Sequence, residues 1–179
     1  MTHALLSLAA VLAPSDPTII QSIAAALETP AAYVSKHEAT AERFPDLQNT
    51  DNEHLLPWIA LADELKERNI AMELDWRTDR EDLIWNLQQL APYRQLSPNV
   101  RESIESLDMH DSQTVVWLRA LAKVMEVDGF IVATMDIDSD SYVTLLLKKD
   151  VYFNAAERAR QLGYRIDDIR VRDPNEFND

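Results

Sequence analysis

The 179-residue chain contains no cysteine and only two glycines, Gly129 and Gly163. Without cysteine there is no disulfide framework, no thiolate nucleophile and no cysteine-type zinc site. Two glycines so far apart cannot build a GxGxxG turn or a GxxxxGK[ST] phosphate cradle, which excludes those nucleotide-binding designs. Positive charge is also scarce: 17 basic against 31 acidic side chains gives 17 − 31 = −14. Nucleic-acid binding relies on Lys and Arg neutralising phosphates, so no nucleic acid is expected as a partner. Long apolar runs are missing as well. The apolar stretch 4–13 falls short of the roughly 20 residues a bilayer span requires. It also lacks the basic flank of a secretory leader, since the first basic residue is Lys36. The stretch reads instead as an N-terminal helix turning Leu5, Leu8, Ala9 and Leu12 inward, with the cytoplasm as the expected compartment and no membrane contact. The four histidines, His3, His37, His54 and His110, show none of the HxH, HExxH or HxxEH spacings of a zinc site. No serine stands in GxSxG. No catalytic residue and no resident cofactor are assigned, and the reading leans against an enzyme.

What is present suits a packed fold: 46% hydrophobic and 27% charged residues. Periodicity predicts one α+β domain over residues 1–179, with helices packed on a small, largely antiparallel sheet. Residues 1–52 are mainly helical and residues 55–171 mixed, with no linker between. Ser15 is the expected cap of a helix carrying Ile19, Ile20, Ile23, Ala24 and Leu27 at helical spacing, and Pro30 opens a further helix to about Arg43. Leu55, Trp58, Ile59, Ala62 and Leu65 mark the apolar face of an amphipathic helix that leaves Asp63, Glu64, Lys66 and Glu67 elsewhere. Residues 70–76 alternate as a strand. Thr78 and Glu81 have capping-box spacing ahead of the stripe Leu83, Leu87 and Leu90, and a short helix follows near residues 99–107. Residues 112–127 are apolar on most sides, which predicts the central, most buried helix. Residues 130–137 and 142–149 form a hairpin about the turn 138–141. Its face Ile131, Ala133, Met135, Ile137, Val143, Leu145 and Leu147 would seat that central helix, and its other face is mixed. Asp150 caps a helix ended by Gly163, and residues 164–171 add a strand.

Two segments, LPWIALADELKERNIAMELDW over residues 56–76, continuing to EDLIW at 81–85, and DGFIVATMDIDSDSY over 128–142, resemble a bacterial family of domains of unknown function. The resemblance covers about half the chain, supports the fold reading and implies no activity. Small size and acidity also resemble, in composition alone, the immunity proteins that neutralise bacterial toxins.

Two features stand out as candidate sites. Asp136, Asp138 and Asp140 alternate through the hairpin turn, in a stretch without bases between Lys123 and Lys148. Alternate aspartates can present oxygens to Ca2+ or Mg2+. An EF-hand loop would need Gly and Glu where Ser141 and Leu147 stand, and Asp and Ser also serve turns by bonding their own backbone. The turn therefore has three readings: local turn chemistry, a divalent-ion or substrate site, or a protein-contact loop. Trp85 falls opposite the Leu83/Leu87/Leu90 stripe, among Glu81, Asp82, Gln88 and Gln89. It is either a protein-contact anchor or, as is favoured, a side chain covered by a neighbouring layer. Arg119, Lys123 and Glu126 share one sector, read as a solvated edge or an anion- or acid-pairing stripe. Asp46, Asp51, Glu53, Asp63 and Glu64 add a second base-free stretch. Acidic fields attract basic proteins. The expected function is a non-catalytic acidic interaction module, of immunity type, binding a basic protein partner through Trp85, Glu81, Asp82, Asp138 and Asp140. The alternative is a divalent-metal-dependent enzyme or ligand-binding domain built on Asp136, Asp138 and Asp140.

Overall fold

A computed structural model describes residues 2–37, 55–108 and 113–171. It contains, among the described residues, a four-stranded sheet and eight α-helices. In chain order these are α1 (Thr2–Leu12), α2 (Thr18–Glu28), α3 (Pro30–Lys36), α4 (Leu56–Glu67), β1 (Ala71–Leu74), α5 (Arg80–Gln89), α6 (Pro98–Glu105), α7 (Thr114–Met125), β2 (Phe130–Met135), β3 (Tyr142–Lys148), α8 (Lys149–Gln161) and β4 (Ile166–Asp168). The strand order is β1-β3-β2-β4 and every pairing is antiparallel. The α+β reading is therefore met.

The expected hairpin is present, with Phe130 opposite Lys148 and Met135 opposite Val143. Period-2 alternation sends Ile131, Ala133, Met135, Val143, Leu145 and Leu147 to one face, where α1, α2, α4 and α8 cover them. The inward set of α1 is as expected, with Leu5, Leu8, Ala9 and Leu12 all buried. The second face, read as mixed, is buried too. Phe130, Val132, Tyr142 and Leu146 join Met72 and Leu74 under α5, α6 and α7, and Thr134 and Thr144 are shut in beside them. The result is a sheet between two helical layers.

That second layer corrects the assignment of the central helix. Helix α7 lies on the Phe130/Val132 face, opposite the one expected, and leaves Val116 39% exposed. The helix enclosed on all sides is α4, in which every residue from Leu56 to Leu65 is buried. Its Trp58, Leu61, Ala62 and Leu65 meet the sheet-side core, while Leu56, Ile59 and Ala60 meet Ala26, Tyr33 and Val34 of α2 and α3. Asp63 and Glu64 are thus carried inside with it. Ile70, grouped by alternation with Met72 and Leu74, packs on the other core because Asn69 turns the chain through a left-handed conformation (φ 53°) just before β1.

Helix starts need similar correction. Asp16, rather than Ser15, accepts the Thr18 amide and hydroxyl ahead of α2. Asp79, rather than Thr78, caps α5 by accepting from the Asp82 amide at 2.8 Å; Thr78 instead donates its hydroxyl to the Asp75 carbonyl. Helix α8 begins after Lys148 with no side-chain cap, so Asp150 sits in its first turn without capping. Gly163 takes φ 83° after α8, as a C′ glycine does. The helix opened by Pro30 is described to Lys36, and its expected continuation to Arg43 lies outside the described residues, as do His54 and His110.

Candidate functional site

The register Leu74↔Tyr142 brings the end of β1 beside the start of β3. The 138–141 turn and the 75–79 connection into α5 therefore leave the sheet at one end. At that end Trp76 is 43% exposed, with the Arg77 guanidinium over its ring at 4.0 Å. Trp85 is 61% exposed, about a turn and a half into α5. No neighbouring layer covers it, contrary to the favoured expectation, because α5 is an outer helix that buries only Leu83 and Leu87. Glu81 and Asp82 are exposed on the same helix, and Asp75, Asp79, Asp138 and Asp140 are exposed in the two connections. These segments carry six exposed carboxylates and two bases, Arg77 and Arg80, and Arg80 is committed to the Glu105 carbonyl.

The aspartate turn is held by its own polar groups. Asp138 takes a left-handed φ of 55°, its amide donates to Asp136 Oδ1, and the Ser141 amide donates to Ser139 Oγ. Two outside contacts anchor it. Trp58, fully buried and stacked on Tyr164 at 4.5 Å, donates its indole N–H to the Asp136 carbonyl. Ser141 Oγ donates to Glu73. Among the described residues no three His, Asp or Glu side chains converge as a metal would require, so Asp136, Asp138 and Asp140 share a turn without forming a ligand cluster.

Other acids that the sequence groups with this surface are engaged elsewhere. Asp128 accepts from the Ser97 amide and hydroxyl at the start of α6, and Glu126 pairs with Arg170, which also grips Asp168 through two nitrogens. The stripe Arg119, Lys123 and Glu126 is therefore not a common anion site: Arg119 donates to the Ile169 carbonyl and Glu126 is bound by Arg170. Asp46, Asp51 and Glu53 lie outside the described residues.

Sequence reasoning missed a charged hub at the C-terminal end of α4. Lys66 Nζ lies 2.8 Å from Asp63 and 2.6 Å from Glu73. Arg68 holds Glu64 and reaches Asp16 at 2.8 Å. Asp16, Asp63, Glu64 and Glu73 thus gather about Lys66 and Arg68 in a cluster whose side chains are largely withdrawn from water. The amphipathic reading set Asp63 and Glu64 apart from the apolar face, whereas both are buried in the folded chain. Next to this hub a half-open cavity of about 210 Å3 separates α2, α3 and α4, with Tyr33 and Glu64 in its wall. Burial, with the nearby carboxylates of Asp63, Glu64 and Glu67, pushes the Tyr33 phenol well above its ordinary value.

Among the described residues no helix is long and apolar enough to cross a membrane. No curated protein and no solved structure shows significant similarity to the sequence. The model of a domain of unknown function, DUF6630, matches residues 4–169, a span that takes in every helix and strand from α1 to β4 but for the first residues of α1. The chain belongs to the DUF6630 family.

Proposed function

We propose that this protein is a non-catalytic interaction module, of immunity type, that docks a basic protein partner against the end of the sheet bearing Trp76, Trp85 and the 138–141 turn. One observation carries the reading: an exposed tryptophan on α5 stands among carboxylates whose nearest bases are already engaged. Tryptophan supplies most of the binding energy at such anchors because it buries a large ring at little entropic cost. The surrounding charge steers association and enforces the sign of the partner. Asp138 and Asp140 act as contact residues on the exposed turn, and Glu81 and Asp82 flank the anchor. The cytoplasm is the compartment that goes with this reading, and nucleic acid is not its partner.

The test is affinity capture with the full chain at low salt, compared with Trp85→Ala and with Glu81→Lys/Asp82→Lys. A basic protein is expected to bind the parent chain, to be lost with either variant and to elute at about 0.5 M salt, where screening reaches within a few ångströms. Recovery of no basic protein, or equal recovery with Trp85→Ala, refutes the assignment.

A further inference from the structure

Glu81 and Asp82 precede Trp85 by four and three residues within α5. At those spacings helix side chains are neighbours, about 5–6 Å apart at Cβ, and an aromatic side chain on a helix extends back toward the preceding turn. That turn carries both carboxylates, and the Trp85 side chain that reaches toward it is 61% exposed. The Asp82 amide and carbonyl serve the helix, through Asp79 and Asn86, but neither the Glu81 nor the Asp82 carboxylate has a partner among the described residues. Among the same residues no cation and no second ring lies against the Trp85 indole. Trp76 differs, because the Arg77 guanidinium already lies over its ring at 4.0 Å. The chain thus covers one exposed indole with its own arginine and leaves the other open.

We infer, resting on the docking function proposed above, that Trp85, Glu81 and Asp82 recognise an arginine side chain of the basic partner, its guanidinium flat on the indole and its N–H groups donating to the two carboxylates. A guanidinium suits both contacts at once, because it is planar, weakly hydrated and carries its donors in its own plane. An ammonium is a compact, strongly hydrated point charge, so it gains less from the ring. An anionic ligand would meet Glu81 and Asp82 with Arg80 already committed to the Glu105 carbonyl.

The experiment is an NMR titration of the full chain, followed at indole and backbone N–H groups, with two end-blocked peptides of equal charge, one of four Arg-Gly repeats and one of four Lys-Gly repeats. The Trp85 indole resonance is the one lost in Trp85→Phe. The arginine peptide is expected to shift it saturably, and the lysine peptide to bind about fivefold more weakly. Trp85→Ala and Glu81→Gln/Asp82→Asn, all at exposed side chains, are each expected to weaken arginine-peptide binding about fivefold or more at the α5 amides. Trp76→Ala, whose ring Arg77 already covers, should leave it unchanged. No saturable Trp85 shift at about 5 mM peptide, or undiminished binding by Trp85→Ala, overturns the inference. Equal binding of the two peptides at Trp85 overturns the arginine assignment and leaves the docking surface standing. Capture of no basic protein removes the docking function alone, since an arginine-selective shift at Trp85 is read without any captured partner.

Discussion

Lys66 shows how much one side chain can hold at the residue scale. Its ammonium sits between Asp63 and Glu73, with 24% of its own side chain and 12% and 18% of theirs exposed. Removing the cation takes a short ion pair from each of two carboxylates with little access to water, a larger penalty than the attraction itself was worth. Lys66→Met is expected to lower unfolding stability by about 3 kcal/mol, toward the low end for buried pairs because some solvent screening remains. Arg160→Ala breaks the Glu157 pair, whose partners are 74% and 50% exposed, and should leave stability unchanged within error. Urea midpoints of the two variants check the contrast, and equal midpoints would contradict the enclosed hub. Trp58 and Tyr33 illustrate opposite outcomes for buried aromatic polar atoms, since the indole N–H of Trp58 has the Asp136 carbonyl and the Tyr33 hydroxyl has no partner among the described residues. Nothing in their local sequence separates the two, because both partners would have to come from distant segments.

At the scale of elements, capping distinguishes neighbouring residues that look equivalent in the chain. Asp79 accepts from the Asp82 amide and stands at the positive end of α5, whereas the Thr78 hydroxyl serves the preceding turn. Asp79→Ala should therefore cost about 1 kcal/mol, and Thr78→Ala clearly less, both read from thermal or urea unfolding; the reverse order would restore the Thr78 capping box. Helices α4 and α7 carry the larger lesson. The sequence of α7 is apolar nearly all round, yet Val116 faces solvent, as does Val127 just past its end. That of α4 has acids on one side, yet every residue from Leu56 to Leu65 is enclosed. Composition around a helix reports what a face tolerates, and the layers that other segments supply decide which faces are covered. The hairpin was readable in full because its alternation and turn are local, and its register follows from the turn.

For the whole molecule, four tyrosines, Tyr33, Tyr93, Tyr152 and Tyr164, are pushed above their ordinary value chiefly by burial. The unfolded chain releases these protons near pH 10 and the folded chain only at higher pH. The unfolded state then binds fewer protons, so stability is fully present below about pH 10 and falls as pH rises through the folded values. Urea midpoints between pH 9 and pH 11 should decline, and Tyr33→Phe should flatten the decline most, since Tyr33 is the most perturbed; a slope indifferent to that substitution would remove Tyr33 from the account. Charge is arranged on the same global scale. Lys66, Arg68 and Arg170 each hold two carboxylates. The acids Glu81, Asp82, Asp138 and Asp140 were readable as exposed types, whereas Trp85 was favoured as covered, and the departure of the 138–141 turn and the 75–79 connection from one end of the sheet rests on the Leu74↔Tyr142 pairing across 68 residues of chain.

The chain alone determined the α+β class, the hairpin, the inward stripes of α1 and α5, and a net charge of −14. These depend on periods of 2 and 3.6 and on summed charge, which are properties of contiguous residues. Tertiary structure alone decided that both faces of the sheet are covered, that α4 rather than α7 is enclosed, that Asp63 and Glu64 belong to an interior hub, and that a cavity opens beside Tyr33. Each of these depends on which distant segments come to lie together, and burial, the variable that sets the energy of a charge or a phenol, exists only once they do.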